Sequence, residues 1–196
     1  MVEDHSPISK GCRTRRRLLD AAAAEVARHG VAGTSINAIA EAAGLKTGSV
    51  YFHFESKDQL VEAMFVEGLQ ASLVYLDNAH SSAPPHADAA TRLGLAIRAH
   101  ARAVRELADY ARAVLGPSFP KDAVGATAWR LRRNYVSRWR ALVLDAQADS
   151  ILPRDADPRL LRDLILGALN AVALAGQPAE QAAATLEAML GIVVLA

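Results

Sequence analysis

The fold is decided by residues 34–57, which read TSINAIAEAAGLKTGSVYFHFESK. In the first half, four apolar residues recur at helical spacing, Ile36, Ile39, Ala40 and Ala43. They predict a short helix with one apolar face, which Gly44 ends because glycine adopts a positive φ without steric cost. A second short helix is predicted from Thr47 to about Phe54, with Val50 and Phe54 facing inward. This pattern is a helix-turn-helix, whose second helix can lie in the major groove of DNA.

The run GLKTGSVYFHF at residues 44–54, followed by SKDQL at 56–60, resembles the DNA-binding domain of TetR-family transcriptional regulators. The tight turn, the Gly-x-x-Tyr-x-His-Phe pattern and the following Ser-Lys stand at the family's spacing. The resemblance covers about residues 13–62, and the rest of the chain is similar to the family in length and helical character. It implies an all-α fold of about nine helices. A three-helix DNA-binding domain would span residues 9–56, and a larger ligand-binding and dimerisation domain would span 57–196.

Composition also favours helices. The chain is 52% hydrophobic but only 5% aromatic, so its core must come from Ala, Leu, Val and Ile. Chains rich in Ala and Leu favour helices, and no segment shows sustained strand alternation. The single cysteine, Cys12, excludes an internal disulfide and a Cys-based zinc cluster. The N-terminus lacks an apolar signal core, and the run at 190–196 is shorter than the about 20 residues that span a bilayer, so we expect a soluble, cytoplasmic protein.

The distribution of charge is more informative than the formal net charge of +1. Residues 1–57 hold eight Lys and Arg against six Asp and Glu, whereas residues 141–196 hold three against seven. One basic end and one acidic end suit a protein that contacts DNA at one end. The basic cluster at the start of the first helix could contact phosphates or form a solvated face, and it comprises Arg13, Arg15, Arg16 and Arg17.

The helix boundaries follow from capping residues. Ser35 is the predicted N-cap of helix two, with Thr34 as the alternative. Ser56 with Gln59 predicts a capping box that starts helix four, which continues to about Asn78. Further helices are predicted at about residues 89–107, 109–115 and 121–148. Helix eight is predicted from Pro158 to Gly176, and helix nine follows Pro178.

DNA recognition needs phosphate contacts for register and base contacts for specificity. The resemblance implies phosphate contacts by Tyr51, His53 and Lys57. Lys57 would lie in the first turn of helix four, where free backbone amides already favour an anion. Tyr51 could instead be a core aromatic, and His53 a solvated surface histidine. The candidate DNA-contacting residues are Ser35, Asn37, Lys46, Thr47, Gly48, Ser49, Tyr51, Phe52, His53 and Lys57.

Base reading is expected at the start of the second short helix. Lys46 can address guanine acceptors, whereas the hydroxyl groups of Thr47 and Ser49 are less selective, and Gly48 allows close approach. The family commonly has a small hydroxyl residue where this chain has Lys46. The N-cap of this helix is therefore expected to shift to Thr47.

Helices eight and nine are predicted to be apolar nearly all round, in residues 164–174 and 186–194. A helix that is apolar on every side must be buried on every side, and near the end of a small chain we expect a second copy to cover it. A two-fold dimer through a four-helix bundle is predicted, and the family resemblance implies the same. The alternative is burial within one subunit. The candidate interface residues are Leu164, Gly167, Ala168, Ala171, Leu186, Met189, Leu190 and Val193.

Helix seven carries both tryptophans and five arginines. The resemblance implies that the larger domain holds a pocket for a small, often hydrophobic effector. One hypothesis pairs Arg132, Arg133 or Arg140 with a carboxylate or phosphate of the effector, such as an acyl thioester of coenzyme A, because the layout is similar to that of acyl-CoA-responsive members. The alternative is a solvated face with ion pairs. Aromatic residues mainly supply buried area, so the aromatic candidates are individually more often core than ligand contacts. The candidate effector-binding residues are Phe65, Leu69, His100, Phe119, Trp129, Arg132, Arg133, Tyr135 and Trp139.

The expected function is a homodimeric, ligand-responsive transcriptional regulator, a repressor by family default, that binds a pseudo-palindromic operator. An enzyme would need a convergent set of acids, bases, nucleophiles or metal ligands, which the sequence does not offer, and no cofactor is predicted. Cys12 beside Arg13 is a candidate thiol sensor, because neighbouring positive charge favours the reactive thiolate. A dimeric helical ligand-binding protein that does not use DNA is the third class.

Overall fold

The computed structural model describes residues 10–115 and 125–192, and this part of the chain forms nine helices and no strand. The helices are α1 (Lys10–Gly33), α2 (Ile36–Ala42), α3 (Thr47–Tyr51), α4 (Lys57–Ser82), α5 (Ala89–Glu106), α6 (Ala108–Leu115), α7 (Ala126–Ala148), α8 (Pro158–Leu174) and α9 (Ala179–Met189). The all-α prediction is confirmed. None of the helices in these two ranges has both the length and the apolar character that crossing a bilayer requires.

The predicted caps of α2 and α4 are formed. Ser35 Oγ accepts a hydrogen bond from the Ala38 amide at 3.1 Å, and Ser56 Oγ accepts one from the Gln59 amide at 3.1 Å. Gln59 Oε1 accepts its return bond from the amide of Glu55, at 2.6 Å, rather than from that of Ser56 itself. Each cap satisfies an amide at a helix start that would otherwise lack a partner.

A left-handed glycine makes the tight turn after α2. Gly44 has a φ of 62°, and the Leu45 amide donates back to the Ala40 carbonyl at 2.8 Å. A residue with a Cβ is strained in this conformation, so glycine suits the position. The turn sets the direction in which the chain enters α3.

The start of α3 differs from the sequence expectation. Lys46 is the N-cap residue, with a φ of −79° and no side-chain cap bond, and Thr47 is the first helical residue. The prediction that the cap shifts to Thr47 is wrong because the Thr47 hydroxyl donates instead to Asn37 Oδ1 on α2, at 3.0 Å. The helix also ends earlier than predicted, at Tyr51, although Phe54 beyond it is buried as expected.

Two apolar cores meet along α4. The first joins α1–α3 and the amino-terminal half of α4 with α6, and its last α4 residue is Leu69. The second joins the rest of α4 with α5, α7, α8 and α9, and it begins on α4 at Leu73. One continuous helix therefore belongs to both cores, so a displacement of one end of α4 is felt at the other.

The last two helices are less apolar than predicted. Glu187 on α9 is only 4% exposed, and Arg98 Nε and Nη2 on α5 donate to its two carboxylate oxygens at 2.8 and 2.9 Å. The expectation that α9 is apolar nearly all round is wrong, because a bidentate arginine meets this buried charge. The outer face nevertheless leaves large apolar side chains uncovered, Leu164 at 61% and Met189 at 78% exposure.

Candidate functional site

The α2–α3 end of the molecule presents an exposed polar and aromatic surface. Tyr51 is 56% exposed and Phe52 86% exposed, while Val50 between α3 and the core is fully buried. Ser35, Asn37, Lys46 and Gly48 are also exposed, whereas Thr47, Ser49 and His53 are half-buried. No atom lies within 4 Å of a Cβ built on Gly48, so the helix backbone is open to a partner there. We call Ser35, Asn37 and residues 46–53 the α2–α3 face.

Three of the four clustered arginines on α1 are used inside the protein. Arg17 Nη2 donates to the Ala43 carbonyl at 2.6 Å, where it closes the end of α2. Arg16 pairs with Asp20 and Glu67, and the Arg15 guanidinium lies 5.3 Å from the centre of the Phe54 ring. These contacts favour a structural use of the cluster over a purely solvated face. Cys12 is exposed in the first turns of the same helix.

Lys57 joins α4 to the turn between α1 and α2. Its Nζ donates to the carbonyls of Val31 and Thr34, both at 3.1 Å. An ammonium has three N–H groups, so one remains for a phosphate. Lys57 therefore fixes the position of the α2–α3 face, which sequence reasoning did not anticipate.

A cavity of about 250 Å³ lies between α4, α5, α6, α7 and α8. Apolar residues supply most of its wall, among them Leu69, Val104, Val136 and Leu166. Small clefts of this kind, apolar with a few polar groups, are typical of ligand sites. Its polar lining residues are Ser72, His100, Tyr110, Arg132, Tyr135, Asp163 and Asn170.

His100 lies at the centre of the polar wall. Its Nδ1 is 2.6 Å from the Tyr135 hydroxyl, and its Nε2 is 2.8 Å from Asn170 Oδ1. Burial lowers the pKa of His100 to about 4, with the Asn170 bond acting the other way. Burial also raises the pKa of Tyr135 above its ordinary value. At neutral pH the cavity therefore holds an uncharged imidazole and an uncharged phenol.

Arg132 lines the cavity from α7, one helical turn before Tyr135. Its Nη1 donates to the Val114 carbonyl at 3.3 Å, and its guanidinium is 5.9 Å from the centre of the Trp129 ring. Burial lowers the pKa of Arg132 and the nearby Asp163 carboxylate raises it, so the side chain stays charged at neutral pH. Among the described residues that line the cavity, Arg132 is the one with a positively charged side chain.

Tyr110 connects the cavity to the helices of the α2–α3 end. Its ring lines the cavity and packs on α4 at Gly68, where a built Cβ would lie 2.9 Å from Tyr110 Cδ1. Its hydroxyl donates to Asp20 Oδ1 on α1 at 2.7 Å. Arg16 binds the same carboxylate oxygen at 3.1 Å and Glu67 on α4 at 2.7 Å. One side chain thus contacts the cavity, α4 and α1.

Two family models match successive parts of the chain. The model of bacterial regulatory proteins of the tetR family matches residues 18–64, which contain α2 and α3. The model of a tetracyclin repressor-like C-terminal domain matches residues 86–174, which supply much of the cavity. The chain belongs to the TetR family.

Curated relatives of this TetR-family chain match it over its amino-terminal part. The probable acrEF/envCD operon repressor of Escherichia coli K12 is 40% identical over 75 residues, which are 38% of this chain and 33% of that protein. The chain thus spans about a third of the length of this relative.

Solved structures match over nearly the whole chain and show the fold. The TetR-family regulator PfmR from Thermus thermophilus is similar with a TM-score of 0.74 and 23% identity, covering 93% of this chain and 97% of that one. AibR, solved in complex with isovaleryl coenzyme A and operator DNA, has a TM-score of 0.72 and 21% identity, covering 90% of this chain and 97% of that one.

The predicted effector residues of the TetR-family chain divide into two groups. Leu69, His100, Arg132 and Tyr135 line the cavity. The others that fall in the described residues are not in its wall: Phe65 and Trp139 are fully buried in the two cores, Trp129 is half-buried, and Arg133 and Arg140 are exposed. Large aromatic rings on α4 and α7 supply core area, and both exposed arginines project from the outer side of α7. Phe119 lies outside the described residues.

The candidate interface residues lie on the outer side of α8 and α9. Leu164, Gly167, Ala168, Ala171 and Met189 are exposed. Leu186 and Leu190 are half-buried, and Val193 lies outside the described residues. Gly167 also lines the cavity.

Sequence reasoning missed Asn170 and Tyr110. Asn170 is the polar residue within the run LILGALNAVAL at 164–174, and one polar residue in an apolar helix is a detectable signal. Tyr110 carries no such signal, because its importance comes from a carboxylate 90 positions away. The described residues hold no group of three or more His, Cys, Asp or Glu side chains that could bind a metal.

Proposed function

We propose that this chain is a ligand-responsive transcriptional repressor that binds a pseudo-palindromic operator as a dimer and is released by an effector that places a small, apolar group in the cavity. The observation that carries the proposal is Tyr110, because its ring lines the cavity while its hydroxyl binds Asp20 on a helix of the DNA-binding end. Such a protein acts in the cytoplasm. We assign residues 9–56 to DNA binding and 57–196 to ligand binding and dimerisation.

The α2–α3 face supplies the DNA contacts. In this proposal the exposed Tyr51 and the remaining N–H of Lys57 bind phosphates, together with Ser35, Asn37 and His53. Lys46 at the N-cap of α3 reaches base edges, together with Gly48 and Ser49. Thr47 holds Asn37 in position and Phe52 offers an exposed ring.

A second copy covers the exposed apolar side chains of α8 and α9. Leu164 and Met189 are each more than half exposed, and the intervening small residues Gly167, Ala168 and Ala171 allow close helix approach. A two-fold pair places two α3 helices in successive major grooves, about 34 Å apart. The remaining interface residues are Leu186, Leu190 and Val193.

The effector acts by shifting the equilibrium between two arrangements of α4 and α1. A molecule in the cavity displaces the Tyr110 ring. This ring packs on α4 at Gly68, and its hydroxyl is hydrogen-bonded to Asp20 on α1. A pendulum-like displacement of α4 then changes the separation of the two α3 helices. Coupling arises because effector and DNA prefer different arrangements.

An acyl thioester of coenzyme A is the effector that we propose. The structurally similar AibR was solved with isovaleryl coenzyme A, and here Arg132 places a cation at the cavity. A cavity of about 250 Å³ holds a short acyl group, with the nucleotide part outside it. Isothermal titration with isovaleryl-CoA is expected to give a saturable heat that Arg132→Gln weakens, and an absence of heat would remove this effector class.

The test of DNA binding is selection from genomic DNA. Purified protein is incubated with sheared genomic DNA at near-physiological salt, and the retained fragments are sequenced. A shared inverted repeat is expected, with its recovery lost in a Tyr51→Ala and Lys46→Ala double variant. Equal recovery by a matched double variant of exposed residues away from this face, Arg130→Ala and Arg140→Ala, is the control. Diffuse recovery without a shared sequence would contradict the proposal.

The coupling route has its own test on the selected DNA. Tyr110→Phe keeps the ring in the cavity wall but removes the bond to Asp20. We expect it to bind the operator while its release by isovaleryl-CoA requires at least about fivefold more ligand, since allosteric coupling commonly amounts to 1–3 kcal/mol. Unchanged release in Tyr110→Phe would exclude this route.

A further inference from the structure

A chain of polar groups runs through the second core and ends at the cavity. It comprises Tyr135 on α7, His100 on α5 and Asn170 on α8, and we call it the polar chain. Tyr135 and His100 are joined at 2.6 Å, and His100 and Asn170 at 2.8 Å. His100 and Trp139 also stack edge to face, with ring centres 5.7 Å apart. The donor and acceptor of each hydrogen bond along this chain determine whether Asn170 presents its oxygen or its amide N–H groups to a ligand.

The end of the chain at Asn170 sets that direction. Asn170 turns its Oδ1 towards His100 Nε2, at 2.8 Å, and an amide oxygen can only accept a hydrogen bond. His100 Nε2 is therefore the donor of this bond.

The same tautomer determines the bond at the other ring nitrogen. A neutral His100 with its proton on Nε2 accepts at Nδ1, so the Tyr135 hydroxyl donates to it at 2.6 Å. The amide of Asn170 is thereby fixed with its oxygen towards His100. Its Nδ2 is the remaining polar group, and none of the hydrogen bonds within the described residues uses it.

Asn170 therefore offers donors to a cavity whose neighbouring wall is apolar. Leu69, Val136 and Leu166 line the cavity with it. Asn170 is half-buried, and a ligand oxygen bound beside it would accept a hydrogen bond in these mainly apolar surroundings. A ligand that presents only N–H donors there would place one donor against another.

We propose that Asn170 is the specificity-determining residue of the cavity and selects small apolar molecules that carry a carbonyl oxygen. The inference rests on the proposed effector function of this cavity and names the chemistry of its ligand. It does not depend on Arg132, on DNA binding or on the oligomeric state.

The test compares two probes of nearly equal shape, acetophenone and ethylbenzene, which differ by a carbonyl oxygen. Their dissociation constants are measured by titration into ¹⁵N-labelled protein, for the wild type and for Asn170→Leu, which keeps the side-chain shape. Only the ratio of the two affinities is compared between proteins, because the different hydration of the probes then cancels. We expect the preference for acetophenone to fall threefold to tenfold in Asn170→Leu, the value of one hydrogen bond.

The control is an asparagine-to-leucine substitution outside the cavity, Asn134→Leu on α7, where the residue is exposed. It is expected to leave the ratio unchanged. An unchanged ratio in Asn170→Leu would overturn the inference, and so would failure of both probes to bind the wild type. The same protein preparations are also used to select genomic DNA, which tests the proposed function separately from the role of Asn170. If an operator is recovered but the affinity ratio is unchanged in Asn170→Leu, only the role of Asn170 is refuted.

A second measurement reads the direction of the polar chain without any ligand. In protein labelled with ¹⁵N-histidine, His100 is expected as the neutral tautomer with its proton on Nε2 at pH 7. Tyr135→Phe removes the donor to Nδ1 and is expected to weaken this tautomer preference. A wild-type His100 with its proton on Nδ1 would reverse the Asn170 amide and overturn the inference.

Discussion

At the DNA-binding end several polar side chains bind backbone groups, whereas His100 at the cavity binds only other side chains. Lys57 and Arg17 donate to carbonyls at the ends of α1 and α2, and Ser35 accepts from an amide at the start of α2. Around the cavity, His100 is held between two side chains 35 and 70 positions away. The bonds of the first kind close local turns, and those of the second kind link helices that are far apart in the sequence.

This difference determines which side chains set the specificity of each region. A bond to a backbone group fixes the shape of the α2–α3 face but leaves its outer side chains free to change with the operator. A network of side chains fixes both shape and chemistry, because a change in one member alters what the next can donate or accept. We therefore expect substitutions around the cavity to have larger and less additive effects than those at the DNA-binding end.

The largest effect is expected at the ion pair between α5 and α9. Arg98→Met leaves the buried Glu187 carboxylate without its bidentate partner and should lower the free energy of unfolding by about 3 kcal/mol, as breaking buried pairs does. Urea denaturation measures the change. The double variant with Glu187→Leu should recover most of the loss, and a double variant as unstable as the single one would contradict the account.

Acidification tests the network through His100. The unfolded chain binds a proton at His100 below its ordinary pKa of 6.5, but the folded protein does so only below about 4. Between these values the unfolded state holds more protons, so stability rises with pH and falls on acidification. From pH 7 to pH 5 this group should lower the free energy of unfolding by about 2 kcal/mol.

The comparison protein for this measurement is His100→Gln, which has no group titrating at that position. The difference between its stabilities at pH 7 and pH 5 is expected to be about 2 kcal/mol smaller than in the wild type. Equal pH dependence in the two proteins would show that His100 is not held neutral by burial.

At the DNA-binding end, Lys57→Ala removes the bonds to the Val31 and Thr34 carbonyls. We expect a loss of about 1.5 kcal/mol in the free energy of unfolding, the lower range for bonds to charged groups, because Lys57 is only half-buried. Lys46→Ala, at an exposed position on the same face, should change it by less than about 0.5 kcal/mol. Equal losses in the two variants would mean that Lys57 does not hold the turn.

The smallest effect is expected at a cap. Ser56→Ala removes the acceptor for the Gln59 amide at the start of α4 and should cost about 1 kcal/mol in thermal or urea unfolding. Ser81→Ala, exposed near the other end of the same helix, is the matched control and should be near neutral. If both variants were neutral, the caps would not explain the stability of the amino-terminal helices.

The same difference explains what could be predicted from the sequence. The caps at Ser35 and Ser56 and the turn at Gly44 depend on neighbours a few residues away, so their spacing in the sequence predicts them. The shifted start of α3 was missed because the Thr47 hydroxyl binds Asn37 on another helix. The pairs Tyr110–Asp20 and Arg98–Glu187 span 90 and 89 positions, and no local pattern indicates which partner each side chain will meet.

The buried indole of Trp139 gives the protein an optical reporter of its own cavity. Trp139 is fully buried, and its ring packs edge to face on His100, which binds the Asn170 amide that we assign to the ligand. Emission from an indole changes with the polarity and charge around it, and only one other tryptophan, Trp129, contributes a background. In a Trp129→Phe variant, fluorescence would follow both the titration of His100 and the filling of the cavity without any added dye.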